Sequence, residues 1–587
     1  MIIIIIIIII IIIIIIIIII IIIIIIIIII IIIIIIIIII IKRTNKNIEI
    51  PELPKPLEPV FPLGTDNFQP LPNNVIFNVY AKCNETGYSY LTANPFINGA
   101  KNEETIQCQI SIISPETVFK SQGTMKIVGY GSRQFKKLSW NIKFTDNNKF
   151  FGRKALKMRG IAGDTSLKRE KLATELYKSA GVPVQEGTYA RLFINGDTYG
   201  LYLVHDSFNK KWISAYIHGN ESDDIGFSYK MDSATPNGPY ADLRYRGPEI
   251  GNYKYSGNYE LDSYNDKKIA KDDLNTQWSP LINFTKSFED WVNAYKDDTS
   301  DKAVDELLKF LDVESLLRLL AVDTLILPLD NFWLISGNTA IYYNPERNNY
   351  NFIPYDFDQT LVGSWGVKVL DPNNYIKDCI KWANYDETIY EHYLINNILK
   401  HPQIKKRYDI ILAELVRKTF NSKTVLNFLS ALHNLIKEDV QWNIDAVNNL
   451  SIPYDGIIVN FSVNDFERSI TYKRSDNSVH TSYELWDYVD IRGEYCNAYT
   501  KDVDVNEIIH GFENKNDDNK DDNNDDNKDD NKDDNKDDNN GKYKFNVISI
   551  SVLKEGYTLG VKQNDIVTPL TASDFPCKHF NIFYRII

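Results

Sequence analysis

The stretch Asp330-Asn331-Phe332-Trp333-Leu334-Ile335-Ser336-Gly337-Asn338 is followed by Asn351-Phe352-Ile353-Pro354-Tyr355-Asp356-Phe357-Asp358. In the second segment Phe352, Ile353 and Tyr355 read as a short buried strand, which places Asp356 at or just past its end. A carboxylate there needs a partner, because burying an unpaired charge is costly. Hard oxygen ligands from two neighbouring segments suit Mg²⁺, held by one or two carboxylates and the phosphates of a substrate. The plainer alternative is that Asp330 caps a turn with Asn331 while Asp356 and Asp358 face solvent. A hydrolase using Asp356 and Asp358 on one metal fits less well, since alternate strand residues lie about 6–7 Å apart.

Upstream of this stretch the chain is rich in strands. Alternating patterns appear at 75–80, 106–112, 125–128 and 140–144. Gly129-Tyr130-Gly131-Ser132-Arg133-Gln134-Phe135-Lys136-Lys137 joins the last two. Its glycines and serine bring backbone N–H groups within reach of phosphate oxygens, with Lys143 on the next strand as a companion; an ordinary glycine hairpin with a solvated lysine pair is the alternative. Residues 164–183 read as a helix, opened by Asp164-Thr165-Ser166 and closed by Gly181 and Pro183. Glu170 in its first turn is placed either to pair with a lysine across a cleft or simply to favour the helix dipole. Residues 189–204 form a hairpin around Asn195-Gly196. Residues 205–300, with Lys230 and Arg246, read as an insertion over the cleft. Helical spacing follows at 307–327, 387–444 and 483–499. Strands first and helices after imply an α+β fold.

The ends of the chain are compositionally distinct. Residues 2–41 are forty consecutive isoleucines, as a helix roughly 60 Å long and about twice a membrane's hydrocarbon thickness. The tract reads as a possible signal or membrane anchor, or as a repeat absent from the mature protein. Seven prolines between 51 and 72 suggest an extended linker over 42–73, with the main domain at 74–510. The net charge of −13 is concentrated in the Asp/Asn/Lys repeat within 513–541, where residues 516–540 hold 12 Asp and 4 Lys. That repeat has no apolar residue with which to build a core and is expected to be disordered. The rest is nearly balanced and offers no basic face for nucleic acid. Residues 542–587 read as a small strand-rich appendage. The five cysteines have no zinc-like spacing. Cys83 and Cys108, on what read as neighbouring strands, are the candidate disulfide if the protein is secreted. Sequons at Asn84, Asn220, Asn283, Asn449 and Asn460 permit secretion without arguing for it.

Together, Gly129-Tyr130-Gly131-Ser132, Trp140-Asn141-Ile142-Lys143-Phe144, Lys168-Arg169-Glu170-Lys171-Leu172, Ile194-Asn195-Gly196, Tyr199-Gly200-Leu201-Tyr202-Leu203, Asp330-Asn331-Phe332 and Pro354-Tyr355-Asp356-Phe357-Asp358 resemble the CotH kinase family of bacterial spore coats and fungal surfaces. The resemblance covers roughly residues 75–500. It implies an atypical two-lobed protein-kinase-like fold that uses ATP and Mg²⁺ to phosphorylate Ser or Thr of a protein substrate. In that reading Asp330 accepts the hydroxyl proton and Asn338 and Asp356 hold the metal. Gly129, Gly131 and Ser132 cradle phosphates, and Lys143 binds them, oriented by Glu170. Val204-His205-Asp206 departs from the family, which often has a glutamate there, as does Gln359-Thr360-Leu361-Val362-Gly363 after the Asp-Phe-Asp. The resemblance equally permits a non-catalytic adhesion protein with a cell-surface partner, secreted or displayed at the surface.

Overall fold

The computed structural model describes residues 48–222, 224–234, 238–361, 376–380, 391–471 and 483–513, together with Ile20, Ile24 and the backbone of three strands after residue 548. The rest of the isoleucine tract, the acidic repeat, Val362, Gly363 and Cys577 lie outside the described residues.

Seven strands close into a barrel: β1 (Phe77–Cys83), β2 (Ile106–Ile113), β3 (Val118–Ile127), β4 (Trp140–Phe144), β5 (Ala155–Arg159), β6 (Gly187–Ile194) and β7 (Asp197–Asp206). Their order is β1-β2-β3-β4-β5-β7-β6, antiparallel except where β6 closes onto β1 in parallel. Strand alternation sends Val79, Ile110, Met125, Ile142, Leu156, Met158 and Leu192 into the barrel. Residues Lys157 and Arg159 of β5 therefore face outward, both on one side.

The β6–β7 hairpin, turning at Asn195-Gly196 as its sequence predicts, is buried on both faces. Its inner residues fill the barrel, whereas Tyr189, Leu201 and Leu203 join the main core. The outer face is covered by the helix α5 (Ser422–Asn448). Gly200 permits this approach. Its φ is +90°, and a Cβ there would come within 2.5 Å of Asn443 Oδ1. That oxygen accepts hydrogen bonds from the Leu201 N–H and from Lys137 Nζ. Arg191 donates to both oxygens of Asp439 at 2.8 Å, in a buried pair that ties barrel to helix.

Between β5 and β6 in the chain, and packed in the main core with Tyr189 of the hairpin, runs α1 (Arg169–Ser179). It begins later than the capping residues imply, because Asp164 folds back to accept from the Ser166 and Arg169 amides. Gly181, at φ +72°, ends it. The other helices include α2 (Leu274–Tyr295), α3 (Val313–Ile326), α4 (Pro402–Lys418), α5, α6 (Val463–Thr471) and α7 (Leu485–Thr500). Asp312 interrupts the helical stretch expected at 307–327 by capping α3 through the Ser315 amide. The barrel followed by helices makes the chain α+β.

Residues 205–300 are part of the body. They supply β8 (Phe227–Met231) and β9 (Tyr259–Ser263) to a second sheet, in the order β9-β8-β10-β11, completed by β10 (Thr339–Asn344) and β11 (Asn349–Pro354). The proline-rich stretch is extended as expected, yet it is docked: Leu53 and Leu57 join the main core, and Phe61 and Phe68 pack against Trp212 and Tyr216. Cys83 and Cys108 are bonded, and a second disulfide, unanticipated from sequence, joins Cys379 to Cys496 on α7. After residue 548 three strands form antiparallel hairpins.

Asp439→Ala should lower unfolding free energy by about 3–5 kcal/mol, because it strands the buried Arg191 guanidinium. Chemical denaturation measures this, and a loss below about 1 kcal/mol would show that the barrel does not depend on that tie.

Candidate active site

Arg159, at the end of β5, stands between two acidic segments. Its Nε lies 3.0 Å from Glu170 Oε1 on α1. Its Nη1 donates to Asp356 Oδ2 at 2.9 Å, and its Nη2 pairs with Asp356 Oδ1. Nη2 also lies 3.2 Å from Asp358. Lys157, two residues earlier on the same face, approaches Asp356 at 3.4 Å. Period-two alternation on β5 thus delivers both cations to one spot.

The acidic residues come from two loops that are themselves joined. Asn331 Nδ2 donates to Tyr355 O, and the Tyr355 N–H to Asn338 O. Gly337 lets the first loop fold tightly, since a Cβ would fall 2.4 Å from Asp330 O. Asn338 hydrogen-bonds the Asp330 carboxylate. Asp356 sits at φ +60°, a left-handed conformation that costs a non-glycine residue energy and is found where geometry is imposed by function.

Two cations face four carboxylates here, Glu170, Asp330, Asp356 and Asp358, so with all ionised the cluster carries two surplus negative charges. The titration shifts follow. Burial, with Asp358 and Asp356, pushes Asp330 well above the usual carboxylate range. Burial opposes ionisation of Asp356 too, but Arg159 and Lys157 overcome it and hold that carboxyl low. Burial, together with Asp356 and Asp358, raises Glu170 to about 7 despite Arg159. Burial and Asp356 raise Asp358 to about 6, although its side chain is 42% exposed and solvent weakens that effect. His205, with Nε2 3.7 Å from Glu170, is kept neutral by burial and then by Arg159 and Lys157.

Beside the cluster lies a cavity of about 280 Å³, lined by Gly131, Ser132, Lys137, Arg159, Glu170 and Asp358 among others. Gly131 and Ser132 belong to a short 3-10 turn, Gly131–Gln134. The turn is anchored by the buried Arg133, which donates to the carbonyls of Gly129, Pro95, Asn102 and Ile127.

Of the residues singled out in the sequence, Glu170, Asp330, Asn338 and Asp356 converge, and Gly131 and Ser132 line the cavity. Gly129 does not line it. Its φ of +81° shapes the turn, where a Cβ would meet Ser132 Oγ. Lys143 is exposed on β4, opposite Ala155, and the partner of Glu170 is Arg159 instead. The local signal for Arg159 is the alternation Ala155-Leu156-Lys157-Met158-Arg159, which marks a short strand with both cations on one face. Lys137 is buried rather than solvated, donating to Leu201 O and Asn443 Oδ1; burial lowers it to about 7. Asp206, in the place of the family's glutamate, is bound to Arg153 and the Glu186 amide, away from the cavity.

An all-oxygen set with surplus negative charge fits a divalent cation. Asp330 Oδ1 is buried with no hydrogen-bond partner among the described residues. Each Asp356 oxygen has further lone-pair capacity beyond its contact with Arg159. Among the described residues no three acidic, histidine or cysteine side chains are placed to hold one metal ion by themselves, so a bound ion would rely on ligands from its substrate as well.

The family model for CotH kinase protein matches residues 125–496. The chain is 26% identical to invasin CotH2 of Rhizopus delemar over 316 residues, 53% of this chain and 49% of that protein. It is 24% identical to invasin CotH3 of the same fungus over 314 residues, 53% and 48%. It is 24% identical to inner spore coat protein H of Bacillus subtilis over 308 residues, 52% and 74%. The chain thus spans about half the length of the fungal relatives it matches.

Glu170 carries a testable pH signature. Its carboxyl titrates at 4.5 in the reference state and at about 7 in the fold, so between those values the folded chain keeps a proton that the unfolded chain has released. The resulting stabilisation is present below about pH 4.5 and is lost as pH rises through 7, by up to about 3 kcal/mol at 1.36 kcal/mol per unit. Glu170→Gln should lack this decline when unfolding is followed against pH. Parallel curves for the two proteins would contradict the assignment.

Proposed function

This chain belongs to the CotH kinase protein family, and from that membership we propose that it is an ATP- and Mg²⁺-dependent protein Ser/Thr kinase with a kinase-like disposition of its site. The observation that carries the reading is the excess of four carboxylates over two cations beside a cavity whose lining includes Arg159, Glu170 and Asp358 of that cluster, with Lys137 and a glycine-serine turn. Phosphoryl transfer asks for little beyond positioning and charge neutralisation.

In this reading Asp356 and Asn338 hold the metal, which supplies charge neutralisation on the phosphates and draws the neighbouring carboxyls towards ionisation. Arg159, in place of the exposed Lys143, binds the phosphates, with Glu170 fixing its guanidinium. Gly131, Ser132 and Lys137 line the space for the phosphate chain. Asp330, whose Oδ1 is without a hydrogen-bond partner among the described residues, accepts the proton of the acceptor hydroxyl. Lys157 keeps the Asp356 carboxylate oriented.

A second reading, an adhesion protein that keeps the fold without turnover, is favoured by the relatives named as invasins. Both readings place the chain at a surface or in a coat. Two disulfides fit an oxidising compartment. Among the described residues no helix is long and apolar enough to cross a membrane. The isoleucine tract, largely outside them, is the proposed signal or anchor.

The test is transfer of labelled phosphate from ATP to the protein itself and to a Ser-rich acceptor. With Mg²⁺ the wild type should label. Asp356→Ala and Arg159→Ala should each lose about 100-fold or more, and Lys143→Ala should keep activity within about twofold. Transfer that needs Lys143 and not Arg159 would overturn the assignment, and no transfer by wild type would favour the adhesion reading.

A further inference from the structure

Asp323 is a fully buried carboxylate in the last turn of α3, in a run with the buried Leu319, Leu320, Val322 and Leu325. An apolar residue at that point would avoid the cost of burying a carboxyl group. Both of its oxygens are used, and each faces a different half of the acidic site. Oδ2 accepts from the backbone N–H of Trp333, three residues after Asp330, at 3.2 Å. Oδ1 accepts from Tyr177 Oη at 2.5 Å.

Tyr177 lies on α1 seven residues after Glu170, two helical turns on and so on the same face. Its ring packs against Phe357, with centroids 4.8 Å apart and planes inclined at 32°. Phe357 is fully buried and stands between Asp356 and Asp358. A continuous chain of contacts therefore runs from the Asp330 loop through Asp323 and Tyr177 to the Asp-Phe-Asp turn. The same helix that brings Glu170 to Arg159 closes it.

We propose that Asp323 is a positioning residue that fixes the Asp330 loop relative to the Asp356-Phe357-Asp358 turn, acting through the Trp333 amide on one side and through Tyr177 and Phe357 on the other. It touches neither cavity nor carboxylate cluster. Its contribution is the distance between the proton acceptor and the metal-holding groups, and only the kinetic readout of this inference rests on the phosphoryl-transfer reading.

The experiment compares Asp323→Asn and Tyr177→Phe with Tyr488→Phe in the full chain. Tyr488, on α7, donates its hydroxyl to Leu325 O at 2.8 Å and is equally buried, so its variant loses a comparable buried hydrogen bond on the same helix without touching Phe357. Two readouts are taken: steady-state phosphate transfer, and the ¹⁹F spectrum of protein carrying 5-fluorotryptophan, in which the Trp333 signal is identified by Trp333→Phe. Asp323→Asn and Tyr177→Phe should lower kcat about tenfold or more while KM for ATP stays within about twofold, and should shift or broaden the Trp333 signal. Tyr488→Phe should lose similar thermal stability but keep kcat and the Trp333 signal. If all three variants behave alike, or if the first two leave the Trp333 signal unchanged, the inference is wrong and Asp323 is merely a core residue. If wild type transfers no phosphate, the kinase reading fails by itself and the ¹⁹F comparison decides the positioning role.

Discussion

The guanidinium of Arg159 is the contact on which the rest of the site depends. It is almost fully buried, and it is shared by Glu170 from α1 and by Asp356 and Asp358 from the turn after β11. A planar group with five donors can serve several carboxylates at fixed angles, which an ammonium does less well. One guanidinium and Lys157 cannot neutralise four carboxylates, however. Burial first, and then the remaining imbalance, push Asp330 and Glu170 upward. A site built this way favours added positive charge, and in the proposed reading a divalent ion supplies it, since a hard cation suits oxygen ligands.

Everything around that contact holds two loops and a strand end to the frame made by the barrel, the helices and the second sheet. The barrel presents β5, and the α5 helix locks the β6–β7 hairpin through Gly200, Asn443 and the Arg191–Asp439 pair. The second sheet carries the Asp330 and Asp356 loops at adjacent strand ends, since Thr339 pairs with Pro354. Asp356 can keep its left-handed backbone because Arg159 and the buried Phe357 beside it leave it little freedom.

Much of this was legible in the residues. The Asn195-Gly196 turn, the helix closed by Gly181, and the pairing of Asp330 with the Asp356 turn all rest on local signals that tertiary contacts reinforced. Cys83 and Cys108 were correctly matched because they sit directly opposite in neighbouring strands. What escaped depends on long-range closure. The parallel contact between β1 and β6 that makes the barrel has no local pattern, and neither has the Cys379–Cys496 bond across 117 residues. Lys143 and Arg159 both alternate outward from neighbouring strands, and only the placement of α1 over β5 decides which of them meets Glu170. The proline-rich segment misled for a similar reason: its prolines make it extended, but Leu53, Leu57 and Phe61 make it adhere.

The most direct measurement of the central claim is the melting temperature of the full chain with Mg²⁺ alone, ATP alone and both together, for wild type and Arg159→Met. Ligand that binds only the native state raises stability by RT ln(1 + [L]/Kd). The account predicts a rise with ATP and Mg²⁺ together that exceeds the sum of the separate effects in wild type and disappears in Arg159→Met. No rise in wild type, or one that survives unchanged in the variant, would contradict a nucleotide–metal site organised by Arg159.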